Sequence, residues 1–469
     1  MAAEYELAIV GSGPGGLKAA MQAAKLHKRV ALVDRGPMLG GVSTNTGTIP
    51  SKTLREAILY LTGLGQRDIY GQAFRVKEDL TFDDLRRRME QVVETERNVV
   101  RDQLLRNHVT VLDGTASFAA PHELRIASED GERRISAERV VLAPGSRPTR
   151  PDGVDFNERT ILDSDGILHL EEIPETMVVV GAGVIGVEYA SMFAALGCKV
   201  TLIDGRPDVL PFCDKEIVES LLFYLRDRRL TLRVGEKVVA VEEHPAGTVT
   251  RLESGKQIAA DVVLYSAGRR GAVDGLGLEA LPLEPTARGL LEVGDTYRTA
   301  VDHVWAVGDV IGFPSLAASS AEQGRIAALD AFGHPCDTLV NNILPFGIYA
   351  IPEISFVGRN EAELTEAGVP YEVGVSRYRE LARGQILGDT HGMLKLMVHA
   401  DERTLLGVHA FGPGATELVH IGQTAMALGG KVDYLVDAVF NYPTLAEAYK
   451  VAALDASNKI ATLQRVEAT

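Results

Sequence analysis

One pattern occurs twice in this chain, and it dictates most of what the chain can fold into. The apolar run Leu7–Val10 leads into Gly11-Ser-Gly-Pro-Gly-Gly16, then a helical stretch to about Leu26, the apolar run Val30–Val33, and Asp34. Met177–Val180 leads in the same way into Gly181-Ala-Gly-Val-Ile-Gly186, a helical stretch to about Leu196, Val200–Ile203, and Asp204. The first glycine and the acid are 23 residues apart in both copies, and the copies lie 170 residues apart. Strand, glycine turn, helix, strand and acid make up the dinucleotide-binding βαβ fingerprint. The first glycine (Gly11, Gly181) permits the tight turn. The second (Gly13, Gly183) lets backbone approach a pyrophosphate, and the third (Gly16, Gly186) lets the helix pack on its strand. The phosphates rest on the helix N-terminus, where free N–H groups and the helix dipole favour an anion. Asp34 and Asp204 accept hydrogen bonds from ribose hydroxyls. The chain is therefore expected to hold two dinucleotide sites.

Composition excludes the main competitors. A length of 469 residues suggests about three domains. With 48 basic and 64 acidic residues the net charge is −16, which is wrong for a nucleic-acid binder. An apolar content of 46% with 24% charged residues is that of a folded globular chain rather than a disordered one. Cys198, Cys213 and Cys336 contain no CxxC pair and cannot form a disulfide scaffold. Glu4 and Glu6 stand where a signal peptide would be basic. Val178–Cys198 is long and apolar, but Gly181, Gly183 and Gly186 and the mid-segment charge of Glu188 fit a buried strand, turn and helix better than a membrane span. A cytoplasmic protein, bound to neither membrane nor nucleic acid, is expected. The eleven histidines include no pair at i+3 or i+4 and no HExxH, so no metal site is expected. No GxSxG elbow marks a serine hydrolase.

The spacing predicts helices over 17–27 and 51–65, and a long charged helix over 80–107 opened by Thr81. In that helix Arg86–Arg88 lie among Asp83, Asp84 and Glu90, so they read as a solvated face. Residues 109–143 alternate like hairpin strands with Asp130-Gly131 as a turn, and 147–153 read as a linker. Residues 299–330 read as strand, Gly-Asp turn and helix. After Pro345 come strands at Glu353–Val357, Leu394–Val398 and Leu405–Phe411, with helices at about 415–428 and 444–460.

Taken together, these motifs resemble the flavoprotein disulfide reductases, the group of dihydrolipoamide dehydrogenase and glutathione reductase. The similarity covers nearly the whole chain. It rests on Gly11–Gly16 with Asp34, Gly40-Gly41 through Pro50-Ser51-Lys52, Ala143-Pro-Gly145-Ser-Arg147, Gly181–Gly186 with Glu188, Ala267-Gly268-Arg269, Trp305-Ala-Val-Gly308-Asp309 and Asn441-Tyr-Pro. The resemblance implies an α/β fold with two Rossmann-like domains, for FAD and for NAD(P), and a C-terminal α+β domain that makes a homodimer. It implies that FAD is held by Gly11, Gly13, Gly16, Asp34, Gly41, Gly145, Gly308 and Asp309. The nicotinamide nucleotide is held by Gly181, Gly183, Gly186, Asp204, Arg206 and Gly268. Lys52 and Glu188 resemble the family's ion pair beside the flavin. The domain limits expected are 1–148 for the first part of the FAD domain, 149–275 for the NAD(P) domain, 276–343 for the segment that completes the FAD domain, and 344–469 for the dimerisation domain.

The departures from the family point to the function. The family has cysteines where this chain has Ser43 and Thr48, and a histidine base where it has Tyr442. Hydroxyls form no disulfide, and a tyrosine of ordinary pKa near 10 is a poor base at neutral pH. A flavin that accepts hydride must then pass electrons elsewhere. Gly47–Glu56, Gly308–Ala317, Tyr349–Ser355 and Asn441–Leu454 resemble the soluble pyridine nucleotide transhydrogenase branch, where a threonine already stands at the second cysteine position. Ser43 is a further departure. The expected activity is hydride transfer between NADPH and NAD⁺. With one nicotinamide fingerprint, the two nucleotides take turns and the kinetics are ping-pong. Asp204 suits a bare ribose, and Arg206 offers a partner for the 2′-phosphate. The alternatives are an NAD(P)H:quinone or oxygen oxidoreductase and a non-catalytic flavin-binding protein.

Overall fold

The computed structural model describes residues 3–71, 73–336 and 343–467. Residues 337–342 of the expected segment 276–343 lie outside them. The first fingerprint folds as read: β1 (Tyr5–Val10), α1 (Pro14–Lys25) and β2 (Val30–Asp34). The chain then runs through α2 (Gly41–Asn45), α3 (Thr48–Thr62), α4 (Arg67–Tyr70), α5 (Phe82–Arg106), β3 (Thr110–Asp113), β4 (Thr115–Ala120), β5 (Glu123–Ser128) and β6 (Gly131–Leu142). Thr81 caps α5 in a reciprocal box: its hydroxyl accepts from Asp84 N–H, and the Asp84 carboxylate accepts from Thr81 N–H. Such a cap contributes about 1 kcal/mol. Arg86 and Arg87 pair with Asp83 on the outer face of α5, the solvated arrangement expected there.

In the region 109–143, β4, β5 and the start of β6 are antiparallel hairpins as expected, with the second turn at Glu129-Asp130, but β3 and the end of β6 take other partners. β3 is a parallel edge strand, with Ala31 opposite Thr110 and Asp34 opposite Asp113. β6 has two partners. Its first half is antiparallel to β5 (Ser128 opposite Gly131), and its second half is parallel to β1 (Val10 opposite Leu142). A long strand alternates in the same way whichever neighbour it takes, so the pattern could not reveal the change. The resulting order is β3-β2-β1-β6-β5-β4, with β17 (Val304–Ala306) parallel to β6.

The second fingerprint gives β9 (Thr176–Val180), α6 (Val184–Leu196) and β10 (Lys199–Asp204), so the apolar stretch 178–198 is strand, turn and buried helix. No helix among the described residues is long and apolar enough to cross a membrane. With β8 (Ile161–Leu162), β11 (Thr231–Val234) and β15 (Val262–Tyr265), these strands form a parallel sheet in the order β11-β10-β9-β15-β8. α7 (Lys215–Asp227) is capped by Asp214 and follows β10. β12 (Val238–His244), β13 (Gly247–Leu252) and β14 (Gln257–Ala260) form an antiparallel meander beside the sheet.

The expected linker is in part a strand. β7 (Ser146–Pro148) pairs antiparallel with β16 (Arg269–Gly271), so the chain leaves and re-enters the first unit along one two-stranded ribbon. The return is completed by α8 (Ala317–Ala331), which lies against α1. Their backbones nearly touch, since a Cβ on Gly324 would come within 1.9 Å of the Gly15 carbonyl. The last part is an antiparallel sheet of β18 (Phe346–Ile348), β19 (Ile354–Gly358), β22 (Leu405–Phe411), β21 (Met393–His399) and β20 (Tyr371–Arg377), in that spatial order. β20 escaped the sequence reading because glycine, serine and glutamate dilute its apolar alternation. α9 (Glu361–Glu366), α10 (Ala382–Leu387), α11 (Ala415–Ala427), α12 (Val432–Asp437) and α13 (Glu447–Glu467) complete this part.

Buried side chains of α3, α5 and α6 join those of the second sheet and of Ile348–Phe356 in one core. Gly186–Ala195 of α6 are buried without a break, as expected of a helix covered on all sides. This packing sets α6 against α3.

Candidate functional site

Two clefts open at the C-terminal ends of the parallel strands of the first two sheets, the usual ligand position in such folds. The first has a volume of about 600 Å³ and is lined by Gly11, Gly13, Asp34, Gly41, Gly145, Gly308 and Asp309, together with Ser43 and Thr48. Gly16 lies beneath it. A Cβ on Gly16 would stand 1.9 Å from the Gly11 carbonyl, so this is the close helix–strand contact that the third glycine serves. The second cleft, of about 530 Å³, is lined by Gly181, Gly183, Asp204, Arg206 and Gly268. Gly186 plays the buried role there, with a Cβ position 1.8 Å from the Gly181 carbonyl. Gly11 and Gly181 turn the chain with φ of +100° and +104°.

Both cleft helices begin bare. α1 and α6 have no side-chain N-cap bond and no acid in the first turn, whereas α5, α7 and α9 are all capped by side chains. Nothing lies within 4 Å of where a Cβ would sit on Gly13, Gly145 or Gly183. Free N–H groups and open backbone face each cleft, and these are the groups a pyrophosphate needs. The residues present therefore fit a dinucleotide in each cleft.

The two acids that end β2 and β10 differ. Asp34 accepts from Ser12 N–H and Ser12 Oγ–H and from Arg35 N–H. Burial raises its carboxyl above the ordinary value in spite of these bonds. Burial also works to raise Asp204, but hydrogen bonds from Arg206 and from Ala182 N–H outweigh it and hold that carboxyl low. Arg206 Nε and Nη2 fork onto the two Asp204 oxygens at 3.0 and 2.7 Å. At the far end of the first cleft, Ser146 Oγ–H donates to Asp309 at 2.6 Å, and Arg269 donates to both Ser146 Oγ and Ser146 O.

Lys52 and Glu188 meet although 136 residues separate them. Lys52 Nζ stands 3.0 and 2.7 Å from the two Glu188 oxygens. Each residue lies about one turn inside its helix, Lys52 behind Thr48 at the first cleft and Glu188 behind Val184 at the second. Glu188 is 3% exposed and also accepts Tyr349 N–H at 2.8 Å, while the Tyr349 ring lies 4.9 Å from the Lys52 ammonium. Burial raises the Tyr349 phenol. One turn further along α3, buried Arg55 donates to Glu353 at 3.0 Å and to the Ala350 carbonyl at 3.0 Å, which ties the Tyr349–Glu353 segment to the same helix. Tyr349, Arg55 and Glu353 escaped the sequence reading as site residues, since no spacing relates them to the fingerprints.

Ser43 lies on α2 and Thr48 opens α3. Cys198 and Cys213 are buried, and burial pushes both thiols up to about 12. No cysteine lines the first cleft. Tyr442 is 69% exposed, between α12 and α13. Asp214, Glu216 and Glu361 are the one carboxylate cluster among the described residues with metal-like spacing, and the ammonium of buried Lys395 stands among them.

Two family profiles match the chain. The one described as pyridine nucleotide-disulphide oxidoreductase covers residues 5–324, and the dimerisation domain of the same group covers 344–453. A soluble pyridine nucleotide transhydrogenase of Mycobacterium bovis is 58% identical over 466 residues, which is 98% of this chain and 99% of that one. Among solved structures, LpdA from Mycobacterium tuberculosis superposes with a TM-score of 0.89 at 25% identity, over 96% of this chain and 98% of its own. The Cu(II) complex of the flavoprotein disulfide reductase RclA from Escherichia coli superposes at 0.87 with 28% identity, over 97% and 99%.

Proposed function

This chain belongs to the pyridine nucleotide-disulphide oxidoreductase family, and within it to the soluble pyridine nucleotide transhydrogenases, and from that premise we propose that it transfers hydride between NADPH and NAD⁺ with no redox disulfide. The observation that carries the proposal is the Lys52–Glu188 pair, which bridges α3 and α6, the helices whose first turns line the two nucleotide-sized clefts, with no cysteine among the residues that line either cleft.

FAD belongs in the first cleft, and when bound it supplies a two-electron carrier. Gly11, Gly13 and the bare start of α1 receive its pyrophosphate, Asp34 takes the adenosine ribose, and Gly16 holds the helix close to the strand. Gly41, Gly145, Gly308 and Asp309 line the rest of its length. The second cleft receives the nicotinamide nucleotides on Gly181, Gly183 and Gly268, again with Gly186 beneath. Asp204 and Arg206 stand at the ribose end, where the two nucleotides differ. Lys52 places its ammonium between α3 and α6, one turn behind the residues that line the clefts, and a fixed, partly desolvated ammonium favours negative charge arriving beside it. Glu188 and Tyr349 N–H hold it in place. Ser43 and Thr48 offer hydroxyls only, so no electrons leave through sulfur.

One nicotinamide cleft means that NADPH and NAD⁺ take turns, so the kinetics are ping-pong. The domain division 1–148, 149–275, 276–343 and 344–469 is part of this proposal, as are dimerisation through the last of these and a cytoplasmic site of action.

The test is anaerobic spectroscopy of the purified protein. A visible flavin band that NADPH bleaches and NAD⁺ restores supports the activity, with parallel lines in initial-rate plots. Restoration by quinone or oxygen alone would make the protein an oxidoreductase of that kind. Absence of the band removes both, and intersecting lines refute the ping-pong order.

A further inference from the structure

We propose that Lys237 is the residue that takes the 2′-phosphate of NADP(H), while Arg206 serves to cancel Asp204 beside it; this rests on the transhydrogenase reading above. β10 ends at Asp204, and the turn after β11 is tied back to it. Glu236 N–H donates to the Asp204 carbonyl at 3.1 Å, and Gly235 N–H donates to the Arg206 carbonyl at 2.9 Å. These bonds bring Lys237 alongside Gly205, where a Cβ would stand 3.2 Å from Lys237 Cγ. Lys237 lines the same cleft as Asp204 and Arg206, at its ribose end.

The charges there are almost all taken. Arg206 forks onto Asp204, and Glu236 is held by Lys256 at 3.0 Å. Three cations line the cleft: Arg206 pairs with Asp204, Arg269 faces Asp165 at 3.8 Å, and Lys237 has no carboxylate partner among the described residues. A 2′-phosphate arriving at Asp204 therefore has one uncommitted cation to meet.

Arg206 is poorly suited to the same task. Asp204 is 7% exposed, and if the guanidinium swung away to a phosphate it would leave a buried carboxylate facing a dianion. Lys237 is exposed, and its ammonium is a compact, hydrated charge on a flexible stem. When NAD⁺ occupies the cleft the ammonium returns to water, and no buried cation is left stranded. A single cleft can thus serve both nucleotides without rearranging the Asp204–Arg206 pair.

The test is calorimetric titration of the flavin-loaded protein with adenosine 2′,5′-bisphosphate and with AMP, which differ by the 2′-phosphate alone. Lys237→Gln should weaken the bisphosphate about tenfold and leave the AMP constant within about twofold. Arg206→Ala should also weaken the bisphosphate, and adding Asp204→Asn should restore it, because the uncancelled carboxylate is then gone. Lys237→Gln shifting both ligands alike, or neither, overturns the proposal. Failure of Asp204→Asn to rescue Arg206→Ala overturns it as well, since Arg206 would then touch the phosphate directly. Failure of NAD⁺ to restore the NADPH-bleached band in wild-type protein refutes the activity instead. It leaves the difference between the two ligands, and so the role of Lys237 at the ribose end, to be decided by the titrations.

Discussion

Replacing Lys52 by methionine keeps the length of the side chain and removes its charge. Glu188 then loses two charge-assisted bonds of 3.0 and 2.7 Å and keeps the Tyr349 N–H at 2.8 Å. Breaking a fully buried pair costs about 3–5 kcal/mol, because the remaining charge is sealed in. Here the Glu188 side chain is 4% exposed but that of Lys52 is 25% exposed, so solvent already screens part of the attraction. The cost should be about 2–3 kcal/mol. For a chain of 469 residues that unfolds as one unit, this lowers the melting midpoint by roughly 2–3 °C. Adding Glu188→Gln removes the stranded charge, so the double variant should melt above Lys52→Met. The same substitution should slow anaerobic bleaching of the flavin band by NADPH about 10²–10³-fold, the usual loss for one preorganised electrostatic group. Calorimetric melting of the wild type, both single variants and the double variant, with stopped-flow bleaching of each, tests both effects. If the double variant melts no higher than Lys52→Met, the pair is not a buried charge couple. If bleaching by Lys52→Met keeps the wild-type rate, the ammonium has no part in the transfer.

Three further outcomes are expected. Gly186→Ala forces a methyl to within 1.8 Å of the Gly181 carbonyl, so NAD⁺ affinity should fall about tenfold or more with flavin content unchanged; an NAD⁺ constant within about twofold of wild type would show that the turn adapts. Iodoacetamide at pH 7, or arsenite added with NADPH, should leave the transhydrogenation rate unchanged, because no cysteine lines the first cleft and Cys198 and Cys213 are buried thiols pushed up to about 12; inactivation that NADPH accelerates would reveal a thiol in the reaction. Burial holds the His409 imidazole below its ordinary value, against the pull of Asp214 and of the Arg359 carbonyl. The unfolded chain therefore takes up a proton near pH 6.5 that the folded chain refuses. Stability should be lost as pH falls below about 6.5, and His409→Gln should flatten that fall in melting curves taken from pH 8 to pH 5.5; a difference independent of pH would refute the shift.

The parts of the site legible in the sequence were those set by local backbone chemistry. Gly11 and Gly181 need positive φ, Gly16 and Gly186 need closeness to their own turns, and each acid ends the strand after its helix. These demands fall within about 25 residues of one another, so a single stretch of chain records them. The same holds for Thr81, whose partner Asp84 is three residues away. Strand partners were less visible. β3 and the second half of β6 alternate as hairpin strands do, yet pair in parallel with strands that lie far off in the chain. β7 looked like a linker because its partner, Arg269–Gly271, lies beyond the whole second sheet.

By itself, then, the sequence determined that the glycine turn between strand and helix occurs twice, that Ser43 and Thr48 carry hydroxyls rather than thiols, and that Lys52 and Glu188 are ionisable. Only the tertiary structure decided that those two charges touch, that Tyr349 N–H and the Arg55–Glu353 bridge steady the segment beside them, and that Arg206 is committed to Asp204 while Lys237 is not. The reason is one of range. Backbone conformation is chosen by neighbours in the chain, whereas the partner of a charge is chosen by whichever helices and turns the buried core presses together.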